Sequence, residues 1–275
     1  LYQTATASTK GNADNTTTTS GGVNAAQYGY GSLTGSISTD MTASVPSYVG
    51  GLNASINGEG FFITMPTLIT DPDAGVDIKQ DNALKNTGFQ YTRVGQFQID
   101  ANGYLQDLNG NYVYGFRTDD GKSDTIGDFD KLVPLRVPTT GGTFSYDHDE
   151  QNLVLLKSVS IDQNGMIKGM GEDDQGETVS FYLGKVGLAY FQNPNGLTKN
   201  GGGYYTADLS DNSGDVTAAA PGGTSNLMAG YIETSNVDLA KEFSEMITTQ
   251  RGFQTNSKII TVSDEMLSDL ISMKR

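Results

Sequence analysis

The chain has 275 residues and a formal net charge of −15, from 17 basic and 32 acidic side chains. That balance argues against a nucleic-acid binder, whose affinity rests on Lys and Arg neutralising phosphates. The lack of any cysteine excludes disulfides, thiol catalysis and thiolate metal sites, and no run reaches the ~18 apolar residues of a membrane span. With 35 Gly and abundant Thr, Ser and Asn, the composition predicts a turn-rich, mainly β chain.

Residues 1–22 end in Ala7-Ser-Thr-Lys-Gly-Asn-Ala-Asp-Asn-Thr-Thr-Thr-Thr-Ser-Gly-Gly22, a polar low-complexity stretch with almost nothing to bury. A flexible linker or arm is expected there. Residues 23–232 are predicted to form an antiparallel β-rich core domain, with a small protruding subdomain at about 106–160. Within it, Gln27-Tyr-Gly-Tyr-Gly31 opens one extended strand or a pair of short ones. Leu52, Ala54 and Ile56 then alternate, Gly58-Glu59-Gly60 bends the chain, and Phe61-Phe62-Ile63 starts the next strand. The two glycines are not a phosphate loop, because no helical pattern follows and the third glycine of a dinucleotide fingerprint is missing.

Residues 66–90 are polar and predict a loop or protruding hairpin. In the stretch that follows, Tyr91, Arg93, Gly95, Phe97 and Ile99 share one side of a strand, and Asn102-Gly103 signals a type I′ turn. A sheet arginine such as Arg93 is expected to pair with an acidic neighbour. Gln98-Ile-Asp-Ala-Asn-Gly-Tyr-Leu-Gln106 recurs weakly as Ser160-Ile-Asp-Gln-Asn-Gly-Met-Ile-Lys168, two tight hairpins. Neither is a calcium loop, since Tyr104 and Met166 occupy the fifth position, where an oxygen ligand is needed.

Residues 118–130 form a hydrophilic connection, and Leu132-Val-Pro-Leu-Arg-Val-Pro138 a short strand flanked by prolines. The one histidine, His148, stands between Asp147 and Asp149; with no second His and no Cys, no metal site is expected. Alternation through Val179, Phe181, Leu183, Val186, Leu188 and Tyr190 predicts a core strand pair turning near Gly184-Lys185. Met228-Ala-Gly-Tyr-Ile-Glu233 is a last short strand. No Walker loop, zinc spacing or hydrolase triad survives inspection, so no catalytic, cofactor or metal residue is assigned. A glycosidase carboxylate pair is the one enzymatic alternative that so acidic a sequence leaves open.

Residues 233–275 read as a long C-terminal α-helix, with Ser235 and Asp238 as a capping-box-like start and only Gly252 to weaken the interior. About 38 residues would span roughly 57 Å. A heptad seam runs through Leu239, Phe243, Met246, Gln250, Phe253, Ser257, Ile260, Asp264, Leu267 and Ile271. Its polar members recur at sevens, where such residues fix register and partner. Nothing else in the chain offers this seam a helix to pack on, so it predicts a subunit-assembly helix whose partner is another copy or another segment. Without that partner the isolated chain is expected to be monomeric, with a mobile C-terminal segment.

Four blocks carry a family resemblance: residues 51–63, the Thr-Arg-x-Gly-x-Phe-x-x-Asp-x-x-Gly-x-Leu spacing within 91–105, residues 191–204, and Glu233-Thr-Ser-Asn-Val-Asp-Leu-Ala-Lys-Glu-Phe243 with its continuation to Leu267. Together they resemble the flagellar hook and distal rod proteins. Leu1-Tyr-Gln-Thr4 resembles the point just after that family's N-terminal helix, which implies that this helix is missing here. The resemblance implies a structural subunit that polymerises into the hook, a universal joint between rod and filament. The alternative is the distal rod, a drive shaft of the basal body; a secreted adhesin-like β module is a third reading. Implied partners are further copies in a helical homopolymer, other hook, rod and junction proteins, and the flagellar export apparatus. The implied location is the extracellular flagellum, reached by the flagellar secretion system, with no membrane insertion and no cofactor.

Overall fold

The computed structural model describes residues 3–6, 26–29, 41–42, 44–69, 75–80, 82–118, 121, 123–137, 139–140, 143–145, 153–172, 175–223 and 225–273. The chain divides into two compact units, residues 1–40 and 41–275. In the first, Gln3–Thr6 and Ala26–Gly29 form an antiparallel pair with Gln3 opposite Gly29. Most of the stretch expected to be a flexible arm lies outside the described residues, and so does His148.

The second unit is β-rich, and every strand pairing among its described residues is antiparallel. Sixteen strands join in one hydrogen-bonded network, ending at Thr139–Thr140 on one side and Thr198–Gly201 on the other. Its centre is Phe61–Met65, which pairs with Gln90–Thr92, Tyr112–Arg117 and Leu188–Phe191. All five of its residues are buried. Successive side chains point to opposite faces, and both faces are covered. Phe62 joins a core with Phe97, Val113, Ile167 and Leu188, whereas Phe61, Ile63 and Met65 join a second core with Tyr91, Tyr114 and Phe116. A continuous apolar run is the pattern that burial on both sides produces. Tyr112–Arg117, inside the stretch expected to protrude, divides its side chains between the same two cores.

Local chemistry departs from the sequence expectations in three places. Among the described non-glycine residues only Asn82 has a positive φ, so Asn102-Gly103 is not a type I′ turn. Gly103 alone is left-handed, at φ 84°, while the Asp100 carboxylate accepts the N–H groups of Asn102 and Tyr104 at 2.9 and 2.7 Å. The same Asp-x-Asn-Gly turn occurs three times, at Asp100, Asp107 and Asp162, each with the glycine N–H donating to the aspartate carbonyl. The strand predicted to turn at Gly184-Lys185 instead runs straight from Thr178 to Val186. It takes up a bulge against Ile167 and Lys168, and the chain breaks at Gly187 before Leu188–Phe191. Lastly, Met228–Glu233 is two strands, Asn226–Ala229 and Tyr231–Glu233, divided by Gly230 at φ 76°. These two pair with Ala54–Asn57 and Pro46–Tyr48, so chain entry and exit are stitched together beside the core.

The polar stretch 66–90 contains a four-residue helix, Ala83–Asn86, anchored by buried Leu84. The Lys85 ammonium sits 3.4 Å from the Asp211 carboxylate, both side chains more than nine-tenths buried. Nearby, the Tyr91 hydroxyl donates to the Leu84 carbonyl, and burial pushes its ionisation well above the ordinary tyrosine range.

Candidate assembly surface

The final strand hands over to a single helix, Leu239–Met273, of 35 residues, in which no residue is buried. Its root is tied to the β unit at Glu233 and at the residues that follow. Glu233 accepts from Arg93 Nε at 2.8 Å on one carboxylate oxygen and from the Ser44 N–H at 3.3 Å on the other. The remaining guanidinium nitrogens of Arg93 donate to the carbonyls of Gly60 and Gly58, each at 3.2 Å. Arg93 therefore has the acidic partner expected of it, and the Gly-Glu-Gly bend is where the guanidinium docks. Gly58, at φ 124°, also lies where a Cβ would come within 2.8 Å of the Ser225 hydroxyl. With each side chain only 15% exposed, this ion pair is screened far less than a surface one. Tyr48 and Tyr231 pack edge to face beside it, centroids 5.2 Å apart.

The helix starts later than the capping-box reading placed it. Asp238 is the N-cap: its carboxylate accepts the N–H groups of Ala240 and Lys241, and its carbonyl accepts that of Glu242. The Ser235 hydroxyl instead accepts from the Val237 N–H. The reason lies in the neighbouring segment. The Thr234 hydroxyl donates to the Val45 carbonyl and the Asn236 amide to Thr42, which keeps 234–236 out of the helix. Once helical, the chain satisfies its own polar side chains. The hydroxyls of Thr248, Thr249, Thr255, Ser263 and Ser272 donate to carbonyls four residues back.

All ten seam positions lie on this helix. Leu239, Phe243, Met246, Phe253, Ile260, Leu267 and Ile271 are 53–72% exposed, with Gln250, Ser257 and Asp264 exposed among them. A second apolar stripe escaped the sequence reading. Ile259, Val262, Met266, Leu270 and Met273 follow at spacings of three and four and are also exposed. The signal was present in the periodicity, but a search for one seam stops at one. At ~100° per residue the two stripes are about 140° apart, so the C-terminal half of the helix is apolar on two faces.

A polar cavity of about 220 Å³ beside Ala83–Asn86 has one carboxylate, Asp215, in its lining, whereas glycoside hydrolysis needs two. Among the described residues no group of three or more His, Asp or Glu could hold a metal ion. Among the described residues no helix is long and apolar enough to cross a membrane.

Comparison with known proteins bears on the helix first and then on the whole chain. Residues 228–273 match the family described as "Flagellar basal body rod FlgEFG protein C-terminal". The flagellar basal-body rod protein FlgG of Bacillus subtilis is 35% identical over 261 residues, covering 94% of this chain and 78% of its own length. The flagellar hook protein FlgE of Borreliella burgdorferi is 36% identical over 155 residues, and that of Treponema pallidum 40% over 133. The chain spans only 34% and 28% of those two hook proteins. On the breadth of the match to the rod protein, this chain belongs to the flagellar hook and basal-body rod protein family.

Proposed function

We propose that the chain is a structural subunit of the bacterial flagellum that self-associates through its C-terminal helix into the axial tube. The observation that carries this reading is a 35-residue helix without one buried residue, whose seven apolar seam positions are at least 53% exposed. Water does not tolerate a patch of that size as a resting surface, so it is the unmet half of an interface. A contact that uses different faces on the two copies, and whose rotation does not close, propagates into an open helical filament. The β unit, rigid through its two cores and tied to the helix root by Arg93 and Glu233, would decorate such a tube. The role is one of assembly and not of catalysis. Its partners are further copies, neighbouring hook, rod and junction subunits, and the export apparatus that carries it out of the cell.

Within this role there are two readings. The hook is favoured by the 36% and 40% identities to hook proteins. The distal rod is favoured by coverage, because a rod protein aligns with 94% of this chain and the two hook proteins above with 56% and 48% of it. Electron microscopy of basal bodies from cells lacking the gene separates them. Intact rods without hooks identify the hook subunit; a shortened rod identifies the distal rod. Normal flagella would remove the chain from the axial structure altogether.

A further inference from the structure

We propose, resting on the assembly reading above, that Met246, Met266 and Met273 form an oxidation-sensitive set through which a peroxide blocks incorporation of the free subunit. The chain has eight methionines and no cysteine, so thioethers are the only sulfur that a two-electron oxidant meets. Met170, Met246, Met266 and Met273 are 49–84% exposed. By contrast Met65 and Met166 are buried, and the Met65 sulfur accepts the Tyr114 hydroxyl inside the second core. Met41 and Met228 are partly buried. Three of the four exposed thioethers thus stand on the helix, Met246 on the first seam and Met266 and Met273 on the second stripe.

Access selects which of them react, because the sulfur lone pair attacks the oxidant directly and no proton has to leave first. One peroxide oxygen bonds to Sδ as the O–O bond breaks; the sulfur loses two electrons and the peroxide leaves as water or an alcohol. The product is a sulfoxide, which turns a flexible apolar side chain into a polar one. Around Met266 and Met273 the helix has no donor for the new oxygen. Its N–H groups are bonded along the helix, Val262, Asp269 and Leu270 have none to give, and the Ser263 hydroxyl already donates to the Ile259 carbonyl. Near Met246 the Thr249 hydroxyl is likewise taken by the Glu245 carbonyl, which leaves the Gln250 amide. In the free chain water solvates the sulfoxide, and the helix keeps its fold. Against a neighbour the oxygen would be buried in an apolar stripe without a partner, which opposes the contact. Oxidation of Met170, on Met166–Glu172 in the β unit, leaves both stripes as they were.

Peptide mass spectrometry of the full chain after hydrogen peroxide treatment reads the modification. Sulfoxide should form at Met246, Met266, Met273 and Met170 about tenfold faster than at Met65 and Met166, with the melting of the β unit unmoved. Equal rates at all six would overturn the proposal. The consequence is read in cells lacking the gene and supplied with an inducible copy, by counting axial structures built after induction with and without sublethal peroxide. Peroxide should lower the wild-type count about fivefold and the Met170→Leu count equally. A chain carrying Met246→Leu, Met266→Leu and Met273→Leu keeps the apolar volume and should be spared; equal sensitivity would overturn the proposal. A second variant needs no oxidant. Met266→Gln with Met273→Gln places a permanent polar group in the stripe and should abolish assembly, so normal assembly would overturn it too. Phe253→Asp on the first seam separates this from the assembly reading. If the glutamine chain assembles and Phe253→Asp does not, oxidation control alone is wrong. If both assemble, the helix is not an assembly surface.

Discussion

The strand Phe61–Met65 and the helix Leu239–Met273 are both rich in large apolar side chains, and their surroundings could not differ more. In the strand every residue is buried, between two cores. In the helix none is. The β unit thus completes itself within one copy, whereas the helix satisfies its backbone and its hydroxyls but not its apolar faces. Stability resides in the first region; association, in the function proposed above, falls to the second. Exposed apolar groups contribute nothing to folding of the free chain, yet each loses water when a neighbour arrives.

The sharpest way to break this contrast is to truncate one phenylalanine in each region. Phe62→Ala removes a fully buried ring and should lower the unfolding free energy by about 3–5 kcal/mol. Phe243→Ala, at a position 59% exposed, should change it by less than about 0.5 kcal/mol while impairing incorporation into flagella. Urea titration of the purified chain and microscopy of complemented cells read the two effects. A large stability loss from Phe243→Ala would mean that the helix folds back on its own β unit.

The next effect belongs to the β unit's buried ion pair. Burial of Asp211 opposes its charged form, but hydrogen bonds from Ser213 and the N–H groups of Asp208 and Ser213, with Lys85 beyond them, outweigh it and hold the carboxyl below the usual range. A carboxylate with a lowered folded pKa stabilises fully above its unfolded value, near 3.9, and loses that contribution as pH falls through the folded one. Melting followed from pH 7 to 2 should therefore show an acid-side loss that Asp211→Ala flattens. At neutral pH the same variant should cost about 3 kcal/mol, because Lys85 is left buried and unpaired. An unchanged acid slope would assign the loss to other carboxylates.

The smallest effect is at the helix start. Asp238→Ala should cost ~1 kcal/mol of local helix stability, seen as faster amide exchange at Ala240 and Lys241 with the melting of the β unit unmoved. A global shift would contradict the separation of the two regions.

How much of this was legible beforehand depends on the range of the forces involved. The helix was, because its signal is local: heptad spacing, no proline and an acidic start are each relations among residues within about two turns. Its cap moved from Ser235 to Asp238 because Thr234 and Asn236 bond to Val45 and Thr42, 189 and 194 positions away in sequence. The partner of Arg93 was expected to be acidic, but only the fold could choose Glu233. The second stripe and the third Asp-x-Asn-Gly turn were both in the sequence and overlooked, the turn because its flanks, Gln106 and Asn111, are polar where the other two have Ile99 and Tyr104 or Ile161 and Met166.

By itself the sequence determined the class of the molecule, since composition, turn residues and heptads report preferences that each residue expresses with its near neighbours. It gave the apolar seam and the four family blocks for the same reason. Which strands pair, that Thr178–Val186 passes straight through its glycine, and that Phe61–Met65 is covered on both sides were decided by tertiary structure alone. Pairing and burial depend on which distant segments fit one another at a shared face, and no local preference encodes that choice.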